Sequence, residues 1–111
     1  MARPRRGRWI GCNPGATFFK PAGIPASTLH IAVLDLDELE AMRLVDEEGL
    51  PQTQAAEQMK ISQSTVARLL ETGRAKVTHA LVHGEALEIQ QGDSPINFHP
   101  PVDQKEDGPQ T

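Results

Sequence analysis

The chain has 111 residues, 38% of them hydrophobic and only 4% aromatic, with no tyrosine and a formal net charge of −4. That length suits one domain with a modest core, and that composition favours a small helical body packed on Leu, Val, Ala and Met over an aromatic-rich sandwich or barrel. A single cysteine, Cys12, excludes an internal disulfide framework and a thiolate-rich zinc site, and no apolar run reaches the roughly 20 residues of a membrane span.

Residues 1–28 read as a basic arm. Pro4, Pro14, Pro21 and Pro25, with Gly7, Gly11, Gly15 and Gly23, forbid a long helix there. Short extended pieces fit at Trp9–Cys12 and Thr17–Lys20. No apolar stretch follows the basic start, so it does not read as a secretory signal, and a cytoplasmic protein is expected. A main domain then runs over 29–91. Ile31–Leu36 is β-leaning and reads either as a strand or as the lead-in to a helix.

The first helix is expected over Asp37–Glu48. Asp37 and Glu38 suit the positive end of its dipole, Leu39, Ala41, Met42, Leu44 and Val45 form an apolar arc, and Gly49 stops it. Pro51 precedes a second helix that starts near Gln52 or Thr53 and ends at Met59 or Lys60. The third starts on Ser62, a good N-cap residue. Val66, Leu69, Leu70, Gly73, Val77, Ala80 and Leu81 keep helical spacing until about Gly84. Ala86–Gln90 reads as a short strand. Residues 92–111 hold four prolines and little apolar content, so a disordered tail is expected. The fold is therefore expected to be mainly α, with short extended segments at the N-terminus and near 86–90.

Charge is segregated along the chain. Residues 1–20 carry +5, 21–60 carry −6, 61–84 carry +2 and 85–111 carry −5. An acidic body with two basic stretches remains compatible with nucleic acid, because phosphate attraction is local and screened beyond about 10 Å.

Gln52–Leu70 is the informative stretch. A helix-turn-helix needs a small residue where its helices cross closely, and Ala56 fits. It needs a turn residue able to go left-handed; that position is Lys60, at a cost on the order of 1 kcal/mol for a non-glycine. It needs an apolar plug, Ile61, and a cap, Ser62. Val66, Leu69 and Leu70 then face inward, while Gln63, Ser64, Thr65 and Arg68 face outward, where such side chains reach base edges and phosphates.

Arg3-Pro4, FFKPAGIP at 18–25, LDLDELEAMRLVDEEGL at 34–50, QAAEQMKIS at 54–62 and KVTHALVHGEALEI at 76–89 carry a resemblance that covers about residues 1–91. Through them the chain resembles the prokaryotic family called domain of unknown function 134, whose members are described as predicted DNA-binding proteins. The resemblance implies a helix-turn-helix similar to region four of the sigma-70 factors of RNA polymerase, with the recognition helix on Ser62–Leu70 and onward. This chain departs from the usual pattern at Lys60 and Pro51, and at Gln63 and Ser64, where many relatives carry Arg then Gln. Other members are associated with proteins resembling the nitrogenase iron-molybdenum cofactor carrier. That implies a regulatory neighbourhood and no metal chemistry here.

The candidate DNA contacts are Gln63, Ser64, Thr65 and Arg68, then Arg74 and Lys76 further along the helix, and Arg3, Arg5, Arg6 and Arg8 in the arm. Arginines interleaved with Pro and Gly suit a narrow minor groove, or simply add phosphate affinity. His79 and His83 share a helix face, but only Glu85 lies close as a third ligand, so they read as surface histidines near a helix end. Cys12 reads as a small buried residue, and Asp46-Glu47-Glu48 as a solvated helix end. No nucleophile motif or phosphate loop appears, so neither an enzyme nor a cofactor is expected. The expected function is sequence-specific binding of double-stranded DNA by a transcriptional regulator. The alternative is a non-catalytic interaction module that holds a partner such as RNA polymerase on the same helices. A homodimer would raise the affinity of so small a reader, with the third helix and 86–90 as its candidate contacts.

Overall fold

The computed structural model describes residues 7–99. Its first α-helix begins on an acid. Asp35 stays extended (φ −73°, ψ 149°), and its N–H donates to Glu38 Oε1 at 2.9 Å, which starts α1 (Leu36–Met42). Arg43–Glu47 then widens into a π-type turn, closed by the Glu48 N–H donating to the Arg43 carbonyl at 2.9 Å. The helix expected over Asp37–Glu48 is thus a short α-helix continued by that wider turn. Gly49 ends it in the left-handed region (φ 75°), as its position suggested.

Pro51 precedes α2 (Gln52–Met59), which ends on Lys60 at φ 58°, ψ 45°. The Ile61 N–H reaches back to the Ala56 carbonyl at 3.1 Å and the Lys60 N–H to that of Glu57 at 3.3 Å, which makes the turn a Schellman motif. Ser62 accepts from the Thr65 N–H at 3.1 Å and caps α3 (Gln63–His83). Gly84 (φ 66°) closes α3, with the Glu85 N–H on the Ala80 carbonyl at 2.9 Å.

Two parallel strand pairs enclose the helices. β3 (Ile31–Asp35) lies beside β4 (Ala86–Gln90), Ile31 opposite Ala86, and the three helices form the connection between them. β2 (Phe18–Phe19) pairs antiparallel on the far side of β4, so the sheet order is β2-β4-β3. β1 (Arg8–Ile10) pairs in parallel with β5 (Ile96–Phe98), Arg8 opposite Ile96. Strands therefore occupy parts of both segments that the sequence assigned to an arm and a tail. Residues 92–99 are not a tail: Ile96–Phe98 finds β1 as a partner, Ser94 is buried, and the Arg8 N–H donates to the Pro95 carbonyl at 3.0 Å. Residues 100–111, and the arm residues Arg3, Arg5 and Arg6, lie outside the described residues.

The core joins Leu36, Ala41 and Leu44 to Ala55, Ala56 and Met59 of α2 and to Val66, Leu69 and Leu70 of α3, with Ile10 of β1 closing one side. Leu39 and Ile61, expected inside, are only partly buried against it. Gly73 marks where α3 crosses α1. A Cβ there would sit 2.9 Å from Met42 Sδ and 3.1 Å from Glu38 Cβ, so glycine permits the approach.

Candidate functional site

Three carboxylates on α1 are buried, and each ties the helix to another part of the fold. Asp37 pairs with Arg8 of β1 at 2.5 Å, with both side chains almost wholly covered. Glu38 accepts from Thr72 Oγ1 at 2.5 Å and from Lys76 Nζ at 2.7 Å, which fastens α3. Glu40, with no exposed surface, accepts from the Gly11 N–H at 2.7 Å and from Arg43 Nε and a terminal Arg43 nitrogen at 2.8 and 2.9 Å. Those bonds to Glu40 hold the Arg43 guanidinium above the usual arginine range. Pairing makes the buried charge tolerable, although Arg8 Nε and Asp37 Oδ1 are buried without a hydrogen-bond partner.

These acids absorb several of the expected DNA contacts. Arg8 is not a free cation of the arm; Asp37 holds it under cover. Lys76 is likewise tied to Glu38. Arg74 is exposed but makes two bonds to Asp46, at 2.7 and 3.1 Å, and those bonds raise its pKa. The physical reason is common to all three. Acids and bases that are segregated along the chain meet in space, so the segment charges overstate the free positive field.

The start of α3 differs. Gln63, Ser64 and Arg68 are exposed, and neither the Gln63 nor the Arg68 side chain has a hydrogen bond or ion pair among the described residues. The hydroxyls of Ser64 and Thr65 lie 3.1 and 2.8 Å from Ser62 Oγ, so both are engaged at the cap. No acid occupies the first turn of α3. Lys60 Nζ stands 5.8 Å from the centroid of the Trp9 ring. This cation–π contact braces the left-handed turn against β1. Of the expected contacts, the fold thus gathers Gln63, Ser64, Thr65 and Arg68 at one place and commits Arg8, Arg74 and Lys76 elsewhere.

Sequence reasoning missed Trp9 and the buried acids. A signal for Glu40 was present: Leu36, Glu40 and Leu44 are four residues apart and share one stripe, which put Glu40 among core residues.

Cys12 is half-buried, and its thiol is pushed up to about 11, by desolvation first and by the charge of Glu40 second. It is therefore protonated, and a poor nucleophile, at neutral pH. His79 and His83 stack with ring centroids 4.2 Å apart, and His79 Nδ1 lies 3.2 Å from Glu85 Oε1. Among the described residues no three His, Cys, Asp or Glu side chains form a metal-binding group, and no helix is long and apolar enough to cross a membrane.

A family model described as a protein of unknown function, DUF134, matches residues 1–97. The chain belongs to that family. A UPF0251 protein of Caldanaerobacter subterraneus subsp. tengcongensis is 44% identical over 93 residues, which is 84% of this chain and 79% of the relative. One of Vibrio cholerae serotype O1 is 50% identical over 94 residues, which is 85% of this chain and 96% of the relative. A third, of Pelotomaculum thermopropionicum, is 47% identical over 93 residues, covering 84% and 70%. No solved structure matches the chain.

Proposed function

We propose that this protein is a non-catalytic, sequence-specific reader of double-stranded DNA, acting in transcriptional regulation, with the start of α3 in the major groove. The α2–turn–α3 unit is then a helix-turn-helix of the kind found in region four of sigma-70 factors. One observation carries the reading. The start of α3 offers an exposed amide, Gln63, and an uncommitted guanidinium, Arg68, while Arg8, Arg43, Arg74 and Lys76 are all paired with carboxylates. The absence of acid in that first turn leaves the positive end of the helix dipole free for phosphate.

Gln63 has the two-sided hydrogen bonding that matches adenine, and Arg68 suits guanine or a phosphate. Arg3, Arg5 and Arg6 add phosphate or minor-groove affinity. Arg8 drops out of that set. A protein-docking role at the same place fits less well, because no large exposed apolar side chain stands at the start of α3.

The test is competition binding of single-base operator variants to the wild type and to each substitution. Gln63→Ala should relax preference at one base position, by about 1–3 kcal/mol. Arg68→Ala should weaken either one base or all sequences. Removal of residues 1–6, which spares the Arg8–Asp37 pair, should make log K less salt-dependent by up to about 0.9 per lost contact. Unchanged affinity and base preference in both substitutions, with intact helices, would sink the reading.

A further inference from the structure

Helix α1 carries more apolar surface than the core takes up. Leu36 and Ala41 are buried, whereas Leu39 and Met42 of the same helix are only partly covered. With Cys12 and Pro14 they wall a cavity of about 380 Å³, open to solvent, between α1 and the segment that follows β1. Cavities that hold small molecules run from about 300 to 1,000 Å³ and are mostly apolar, with a few polar groups at fixed places. The polar groups here are Arg43, Asp46 and Glu47. All three belong to the π-type turn, a local widening that is frequent at functional sites.

The charges around the cavity restrict what can enter it. The Arg43 guanidinium donates through all three nitrogens, two to Glu40 and one to Glu48, at 2.8 to 2.9 Å. An anion entering the cavity finds that cation already matched by two carboxylates. Asp46 is paired with Arg74. The Glu47 carboxylate is exposed and has no hydrogen bond or ion pair among the described residues. Glu40, Glu48, Asp46 and Glu47 thus outnumber Arg43 and Arg74, and the field at the mouth favours positive charge.

We infer that this cavity is a binding site for a small organic amine, with its apolar body against Leu39, Met42, Pro14 and Cys12 and its ammonium at Glu47. The site shares no residue with the start of α3. The inference does not rest on the DNA reading, and its test contains no DNA.

Cys12 is the only cysteine of the chain and lines the cavity, so its labelling rate under native conditions reports occupancy. The reagent is a disulfide inert to amines. The probes are hexylamine, hexanol and hexanoate, which share an apolar chain and differ in the charge of the head. Millimolar hexylamine should slow the labelling saturably, with an affinity roughly tenfold above that of hexanoate and with hexanol between them. Glu47→Lys, at an exposed position, should lower the amine-to-carboxylate preference by roughly tenfold, with the helical circular dichroism unchanged. Glu47→Gln should weaken hexylamine about threefold, the size of an exposed ion pair. Leu39→Trp, which fills the cavity, should abolish the protection. Labelling that none of the probes slows overturns the inference. Equal protection by hexanoate overturns it as well, and so does a preference for the amine that survives Glu47→Lys. If Leu39→Trp loses its helical signal, the Glu47 variants decide, since that side chain lies outside the core.

Discussion

The two ends of α3 are built on opposite plans. Over its first half one side is sealed by Val66, Leu69, Leu70 and Gly73 against α1 and α2, and the other side is polar or small: Gln63, Ser64, Ala67, Arg68, Glu71. Over its last turns only Ala80 is buried, and Leu81 and Val82 project outward. A helix clad in polar groups on its free side meets a hydrated or charged surface at little desolvation cost. A helix with aliphatic groups there gains by losing water. One element thus offers two different chemistries at its ends, and the polar end is the one proposed to meet nucleic acid.

The largest expected effect contrasts the two ends directly. Leu70→Ala, at a wholly buried position, should cost about 2–5 kcal/mol in chemical denaturation. Leu81→Ala should change the stability of the isolated chain by no more than about 0.5 kcal/mol. Equal losses would erase the contrast. Next comes Glu38→Ala, which removes the acceptor of Thr72, Lys76 and the Asp35 N–H and should cost about 1–2 kcal/mol, because Thr72 and Lys76 are open enough to turn to water. Hydrogen exchange should show that loss in the first half of α3 more than in its last turns.

A smaller effect of opposite sign is expected at the turn. Lys60→Gly relieves a left-handed non-glycine residue and should stabilise by about 1 kcal/mol, less whatever the Trp9 contact contributes. An effect confined to alkaline pH, and absent at neutrality, involves neither end of α3. Folding raises the Cys12 thiol from 9.0 to about 11. The unfolded thiol therefore ionises first, and the stability held below pH 9 falls as the pH rises towards 11. Cys12→Ala should flatten that alkaline decline, and thiol labelling of the folded chain at pH 8 should lag well behind that of a free cysteine.

What the sequence disclosed was local. Lys60, Ser62, Gly49 and Gly84 act through hydrogen bonds that span only a few residues, so the turn between α2 and α3 and the ends of the helices could be read from spacing alone. Ala86–Gln90 was likewise legible as a strand. What stayed hidden depends on distant partners. Ile96–Phe98 is a strand only because β1 lies beside it, and nothing within 92–111 announces that. Arg8 reads as a surface cation until Asp37 is known to face it. The candidate site was therefore half legible: Gln63, Ser64, Thr65 and Arg68 come together by helical periodicity, whereas Arg74 and Lys76 were claimed by acids far away in sequence.

The nested strand pairs also bear on how this chain acquires its structure during synthesis. The helices can begin to form as soon as they emerge, since helical turns are local and form fast. β1, by contrast, has no strand partner until Ile96–Phe98 is made. Joining these strands closes a loop of roughly 90 residues, at an entropic cost of about 4 kcal/mol. Trp9 belongs to β1, so the brace beneath Lys60 is among the last parts to lock. On the ribosome, the left-handed turn thus stays unbraced until nearly the whole described chain has been translated, and the start of α3 acquires its final rigidity only at the close of folding.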